Sequence, residues 1–280
     1  MFASAESAAI DEIVIAGQRL RVAETDGHGE RPLVICNDFL ANLDILDEFC
    51  SALGRATLRF DLPGIGGAPG PARMQRMAGL ARLVAELVAA RGHDHFDLLG
   101  VGWGGLLAQR IARDYGIRVH RLVLVATSAG QLMFPGRVAN LRRLASLTGL
   151  QRAAIDAQDV RSVFGGRRRE ECEMVAQAMA RAMAPSRRGY LAQCYALAGF
   201  SSLPWLHRLT MPTLVLSGDD DPIVPLVNAR VLTLLMPRSE LSVMRGAGHW
   251  LLLERADEAA RRVAAFLDLA QPLHSHGNDV

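Results

Sequence analysis

Three short stretches of the sequence carry residue types whose chemistry and order suit catalysis. Residues 100–104 are rich in glycine, residues 219–221 are three consecutive aspartates, and His249 stands between Gly248 and Trp250. A carboxylate that orients a histidine ring prepares it to accept and return a proton. The glycine-rich stretch comes first in the chain, the acid second and the histidine last. This order is compatible with the chemistry of acyl transfer.

The glycine-rich stretch predicts a tight turn between a strand and a helix. Residues 96–99 are apolar except for Asp97 and are typical of a buried parallel strand, and residues 106–112 have helical periodicity. In the nucleophile elbow G-x-S-x-G, such a turn presents a serine at its apex, but the apex here is Gly102. A turn that binds phosphate at a helix N-terminus is the alternative interpretation.

The remaining elements are expected to place these stretches at one edge of a sheet. An opening hairpin is predicted within residues 10–23, and strands are predicted at 32–36, 56–60, 121–126, 213–217 and 240–244. Helices are predicted at 43–53, 77–88, 226–235 and 257–269. This alternation indicates an α/β fold with a mostly parallel sheet, helices on both faces and right-handed crossovers. Catalytic groups of such sheets collect at the carboxyl ends of the strands.

The alternation of strands and helices stops over residues 131–204. These residues are predicted to form a helical insertion, here called the lid segment, over the carboxyl edge of the sheet. Residues 1–130 and 205–270 then form the α/β core, and residues 271–280 form a flexible tail. His274 and His276 in that tail are expected to be solvent-exposed rather than metal ligands.

Composition narrows the class of protein. At 280 residues and a net charge of +2, the chain fits one α/β domain and offers no basic face for nucleic acid. Residues 1–9 lack the pattern of a signal peptide, and no apolar run is long enough to span a membrane, so a soluble, cytoplasmic protein is expected. The four cysteines show neither metal-ligand spacing nor disulfide density, so reduced thiols are expected, and neither a metal nor a cofactor is predicted.

Several motifs resemble those of the α/β-hydrolases, and in particular the intracellular depolymerases of medium-chain-length poly(3-hydroxyalkanoates). Residues 37–42 align with the family's N-G-I-G-A-N, and residues 101–105 align with its V-S-W-G-G. The resemblance spans about residues 10–270 and includes the stretches 61–67, 126–130, 205–207, 218–222 and 248–249.

The resemblance implies a role for each candidate site residue. His249 would be the general base, and Asp221 would be its orienting acid. Trp103, which follows the nucleophile position, would supply one oxyanion-hole N–H, and the region of Asp38 and Phe39 would supply a second. An ester or polyester of hydroxyalkanoates would be the substrate, with the polymer granule surface as a further partner.

Two positions depart from the family pattern. Gly102 stands where the family has its nucleophilic serine, and Asp38 with Leu40 replaces two glycines of the oxyanion loop. Loss of such a nucleophile lowers turnover by roughly a million-fold. An inward carboxylate at position 38 would repel a developing oxyanion by about 4 kcal/mol, whereas an outward rotamer would not.

Three explanations of these departures stay open. Gly102 is an engineered replacement, or the chain is an inert relic, or natural divergence has changed both positions. Under divergence the protein is either a polyester or acyl-group binder, or an enzyme in which His249 activates a water in the space of the missing side chain. If the remaining groups are intact, Gly102→Ser should place an Oγ within reach of His249 and restore esterase activity.

Apolar side chains of the lid segment are predicted to line a substrate tunnel: Leu132, Met133, Phe134, Leu144, Leu147, Met174, Met179 and Met183. A granule-surface interaction protein is a different class of function. Its relevant feature is the basic run 167–169 with Arg187 and Arg188, although Glu170 and Glu171 adjoin that run.

Overall fold

A computed structural model of the protein describes residues 10–136, 157–183 and 185–269. The strands are β1 Ile10–Ile15, β2 Gln18–Thr25, β3 His28–Cys36, β4 Arg55–Asp61, β5 Phe96–Val101, β6 Val119–Val125, β7 Thr213–Gly218 and β8 Ser239–Met244. They form one sheet of eight strands in the order β1-β2-β4-β3-β5-β6-β7-β8. Strands β3 to β8 are mutually parallel, while β2 pairs antiparallel with β1 and with β4.

The helices alternate with the parallel strands. They are α1 Asp47–Leu53, α2 Met77–Ala90, α3 Trp103–Asp114, α4 Ala157–Phe164, α5 Arg169–Arg181, α6 Arg187–Leu197, α7 Leu226–Leu235, α8 Leu251–Glu254 and α9 Ala256–Leu267. Two 3-10 helices, Leu43–Leu46 and Leu203–Arg208, complete the described elements.

Alternate residues of each central strand pack into two hydrophobic cores, one on each face of the sheet. Val34 and Cys36 of β3 belong to the core that contains side chains of α2, α3 and α7. Leu33 and Ile35 belong to the core that contains side chains of α1, α5 and α9. Because both faces are covered, the central strands are apolar without alternation, which is why the sequence pattern identified them.

The predicted elements are confirmed with small shifts of their ends. The helix predicted at 43–53 is divided into the 3-10 helix Leu43–Leu46 and α1, and it ends as expected at Gly54, which has a φ of 65°. The short helix α8 was not predicted. The described part of residues 131–204 contains the helices α4, α5 and α6 joined by irregular segments and holds no strand, although Gly130 and Ser201 form an isolated bridge.

Some predictions fall on parts of the chain outside the described residues. These are the absence of a signal peptide in residues 1–9, the tail 271–280 with its two histidines, and Leu144 and Leu147. In the part that is described, no helix is long and apolar enough to cross a membrane.

Candidate active site

The turn between β5 and α3 places Gly102 at its apex. Gly102 has φ 50° and ψ −115°, a backbone conformation that side chains tolerate poorly. Its N–H donates to the carbonyl of Val125 at 2.9 Å, and its carbonyl accepts a hydrogen bond of 2.6 Å from Oγ1 of Thr127. The apex is therefore held by hydrogen bonds to Val125, the last residue of β6, and to Thr127 just after that strand.

Close contact between α3 and β3 requires a second glycine in this turn. A Cβ built on Gly104 would lie 2.2 Å from the carbonyl oxygen of Cys36, the last residue of β3. The glycine lets the helix start directly against the strand end, which brings the Gly102 apex beside the loop that begins at Asn37.

That loop holds Asp38 with its carboxylate turned into the site. Asp38 is buried, and its Oδ1 accepts a hydrogen bond of 2.8 Å from the backbone N–H of Trp103. Trp103 carries the N–H that the family resemblance assigns to the oxyanion hole. The outward rotamer considered from the sequence is thus not the one observed, because the amide of Trp103 holds the carboxylate inward.

Leu40, at a position where the family motif has a glycine, has a left-handed backbone conformation. Its φ is 60°, in the left-handed region, and its N–H donates to Oε1 of Gln193 at 2.8 Å. The buried side chain packs into the core beneath the site. Burial of a leucine contributes about 2 kcal/mol, which offsets a backbone strain of roughly 1 to 3 kcal/mol.

His249 lies between two carboxylates that come from different loops. Its Nδ1 is 2.7 Å from Oδ2 of Asp221, in the loop after β7, and its Nε2 is 3.1 Å from Oδ2 of Asp38. The other oxygen of Asp221 accepts the backbone N–H groups of Ile223 and Val224 at 2.8 and 2.9 Å. The three predicted residues are therefore in direct contact, although their catalytic roles stay predictions.

The two carboxylates favour the protonated form of His249. Burial opposes a charge on the ring, but the charge and hydrogen bond of Asp221, together with those of Asp38, outweigh it and hold the pKa of His249 well above its usual value. The geometry suits the same state, because each ring nitrogen faces a carboxylate oxygen to which a protonated ring can donate. His249 and Asp38 thus form a buried ion pair.

The carboxylate of Asp38 occupies the space beside Gly102. A Cβ built on Gly102 would lie 1.9 Å from Oδ1 of Asp38 and 2.8 Å from its Oδ2. A serine at position 102 therefore requires the Asp38 carboxylate to move, and the expectation that Gly102→Ser would place an Oγ beside His249 stays a prediction. The hypothesis of a water in that space meets the same obstacle.

Two further residues support His249 and were missed from the sequence. The carbonyl of Phe164 accepts the N–H of His249 at 2.8 Å, and the Phe164 ring stacks on the imidazole at a centroid distance of 6.5 Å. Oε2 of the buried Glu254 accepts the N–H of Gly248 at 2.7 Å. Glu254 could have been found from the sequence because it is the charged residue that ends the apolar run 250–253. Phe164 could have been found because it begins the break Phe164-Gly165-Gly166.

A cavity of about 580 Å³ opens onto Asp38, Gly102 and His249. Its apolar lining includes Phe39, Leu106, Met133, Phe164, Met179 and Ile223. Of the tunnel residues predicted from the sequence, Met133 and Met179 line this cavity. Leu132, Phe134, Met174 and Met183 are exposed and do not line it.

The basic run of the lid segment is paired with acidic side chains. Arg169 lies 2.8 Å from Glu173, Arg168 lies 3.6 Å from Glu171, and Arg167 lies 3.9 Å from Asp220. The three arginine side chains are also exposed, and exposed, paired charges of this kind are typical of a solvated helix face. Granule binding through it stays a prediction.

Cysteine and metal chemistry can be assessed in the described part of the chain. All four cysteines are free, and three of them are buried. Among the residues described, no group of three or more His, Cys, Asp or Glu side chains could hold a metal ion.

The sheet order, the turn at Gly102 and the histidine between strand-end carboxylates define the class. The chain belongs to the alpha/beta hydrolase fold family, whose model matches residues 31–256. It is 35% identical to a poly(3-hydroxyalkanoate) depolymerase from Ectopseudomonas oleovorans over 258 residues, which cover 91% of each protein.

Other relatives extend this similarity. A 2-hydroxymuconate semialdehyde hydrolase from Pseudomonas putida is 29% identical over 81% of this chain and 82% of its own. An alpha/beta hydrolase fold protein from Chitinophaga pinensis superposes with a TM-score of 0.78 at 21% identity, over 94% of this chain and 98% of its own.

Proposed function

We propose that the chain is a depolymerase-like ester hydrolase that binds carboxylic esters of hydroxyalkanoates with apolar side chains. Its site cannot form an acyl-serine intermediate. The observation that carries this proposal is the apolar cavity, which ends at the His249–Asp221 pair. The 35% identity to a poly(3-hydroxyalkanoate) depolymerase supports the same ligand class.

The acyl-serine route is closed for two reasons. Gly102 supplies no hydroxyl to attack an acyl carbon, and Oδ1 of Asp38 occupies the N–H of Trp103 that would stabilise the oxyanion. The carboxylate also brings a negative charge to the place where an oxyanion would form. We therefore expect ester hydrolysis to be slower by roughly a million-fold than in a relative with an intact serine.

A second candidate is a non-catalytic binder of the same esters. The contact between Trp103 and Asp38 favours it, because the N–H that would stabilise an oxyanion already donates to the carboxylate. Both candidates share the ligand and differ in turnover. Release of acid from the bound ester distinguishes them.

Binding of a medium-chain hydroxyacyl oligomer tests the ligand class. Trp103 and Trp250 line the cavity, so the intrinsic fluorescence of the protein should change on binding. An apolar oligomer should bind at least about ten-fold more tightly than a polar ester of equal length, because burial of each CH₂ contributes about 0.8 kcal/mol.

A matched pair of methionines on α5 provides the control. Met179 is buried and lines the cavity, whereas Met174 on the same helix is 40% exposed and does not. Met179→Gln should weaken binding of the oligomer, and Met174→Gln should leave it unchanged. Equal affinity for apolar and polar esters, or equal effects of both substitutions, would contradict the proposed ligand class.

A further inference from the structure

We propose that Asp38 is a covalent nucleophile that opens apolar epoxides and is regenerated by hydrolysis of the resulting aspartyl ester. This activity uses the same cavity as the proposed function but does not rest on ester binding. It follows from the position of the Asp38 carboxylate, which contacts the N–H of Trp103 and the ring of His249. In the resemblance described above, these two groups would act on a substrate carbonyl.

The first step of the argument is the position of Oδ2. A side chain on Gly102 would overlap the Asp38 carboxylate, and Oδ2 lies 3.1 Å from Nε2 of His249. The carboxylate therefore occupies the place of an elbow nucleophile although it comes from the loop after β3. It also lines the cavity, so a bound molecule can reach it.

The second step is the position of Oδ1. The N–H of Trp103 donates to this oxygen at 2.8 Å, so the N–H group available to polarise a carbonyl is already bound to the carboxyl group of Asp38 itself. If Asp38 becomes an ester, Oδ1 is the carbonyl oxygen of that ester. The Trp103 N–H then stabilises the oxyanion that forms when water attacks Cγ of Asp38.

The third step is the chemistry of a carboxylate. Its attack on an ester carbonyl gives a mixed anhydride, which is more reactive than the ester it came from. Its attack on a saturated carbon gives an ordinary ester and is favourable when that carbon carries a leaving group or belongs to a strained ring. The nucleophile therefore selects an alkyl electrophile.

The proton on His249 selects an epoxide among such electrophiles. In the first reaction, a lone pair on Oδ2 forms a bond to a ring carbon while the C–O bond of the ring breaks toward oxygen. The resulting alkoxide takes the proton from Nε2 of His249. A halide leaving group would need no proton and would leave His249 charged.

The second reaction uses the neutral His249 that the first has produced. Esterification removes the charge of Asp38, one of the two that favour the protonated ring, so His249 can act as a base. Nε2 takes a proton from water, the hydroxide attacks Cγ, and the tetrahedral carbon expels the alkoxide, which takes the proton of the new carboxyl group. The sum is epoxide plus water to diol, with Asp38 and His249 restored to their ion pair.

The decisive experiment follows the oxygen of water in a single turnover. The full-length protein, in excess over the terminal epoxide of octane, reacts in water enriched in the heavy oxygen isotope. The label should appear in the peptide that contains Asp38, because water attacks Cγ, and the diol should be unlabelled. Label in the diol, or no diol above the uncatalysed rate, would overturn the proposal.

A pair of aspartate variants in the same loop region provides a second measurement. Asp38→Asn removes the nucleophile and should abolish diol formation. Asp44→Asn, which changes a partly exposed carboxylate outside the cavity, should retain it. Full activity of Asp38→Asn would overturn the proposal, and the labelling result on the unaltered protein stands even if that variant does not fold.

The two proposals can fail separately. Absence of ester binding with labelled Asp38 would contradict the proposed function alone. Ester binding with no labelled Asp38 would contradict the nucleophile alone.

Discussion

Asp38 and the side-chain position of residue 102 share one space, because a Cβ on Gly102 would lie 1.9 Å from Oδ1 of Asp38. The two residues come from different loops, after β3 and after β5. Glycine at position 102 is thus a condition for the inward carboxylate at position 38.

The first prediction follows from this overlap. Gly102→Ser alone should not hydrolyse nitrophenyl octanoate, because its Cβ collides with the carboxylate that Trp103 holds in place, and it should be destabilised by about 1 to 3 kcal/mol. Gly102→Ser combined with Asp38→Gly removes the collision and frees the N–H of Trp103. Hydrolysis should then rise by several orders of magnitude.

Two controls accompany these variants. Asp38→Gly alone should remain inactive, and adding His249→Ala to the double variant should abolish its activity. Strong hydrolysis by the single Gly102→Ser variant would show that Asp38 swings out at little cost, contrary to the arrangement described here.

The second prediction concerns the titration of His249. Asp38→Asn removes one of the two carboxylates that face the ring, so the pKa of His249 should fall, although Asp221 should still hold it above the usual value. The measurement is an NMR titration of labelled imidazole groups, with Asp44→Asn as the matched control. An unchanged pKa in Asp38→Asn would rule out the ion pair.

The same pKa has a consequence for stability. Because the folded state raises the pKa of His249, the stabilisation is fully present below the unfolded value of about 6.5 and is lost as the pH rises through the folded value. In Asp38→Asn the loss should begin at the same pH, because the unfolded value is unchanged, but it should be smaller and complete at a lower pH. Urea unfolding across a pH series measures the difference.

The third prediction concerns the buried carboxyl group of Glu254. Burial raises the pKa of Glu254 from 4.5 to about 7. The unfolded chain releases this proton first, so the free energy of unfolding falls as the pH rises from about 4.5 to about 7, by about 3 kcal/mol at most. Above about pH 7, the folded protein bears the full loss of stability that ionisation of the buried Glu254 causes.

Glu254→Gln removes this cost and keeps an oxygen that accepts the N–H of Gly248. The variant should gain stability relative to the unaltered protein at about pH 8 and show little gain at about pH 4.5, as measured by urea unfolding. Glu240→Gln, at an exposed position of β8, should show no such pH dependence. A gain of equal size at both pH values would contradict the assignment.

Local patterns were sufficient to predict the sheet and its connections. The run 96–99 and the helical period after it fixed β5, the turn and α3, because burial on both faces imposes apolar strands and one-sided helices. The positions of Asp221 and His249 at strand ends followed from the same alternation. Because both residues were predicted at the carboxyl edge of the same sheet, contact between them could also be expected.

The orientation of Asp38 was not available from the sequence. Inward and outward rotamers of a loop aspartate differ through one hydrogen bond to the N–H of Trp103, a residue 65 positions away. Similarly, the left-handed φ of Leu40 is held by Gln193 and by burial, and leucine has no local preference that predicts it. Such features depend on contacts between distant parts of the chain.

The shared space of residue 102 and Asp38 also constrains the order in which these positions change during evolution. A lineage with a side chain at position 102 can hold an aspartate at 38 only in another rotamer, so the inward carboxylate requires glycine at 102. Homologous sequences that have aspartate at 38 should accordingly have glycine at 102, and sequences with a serine at 102 should have a small residue at 38.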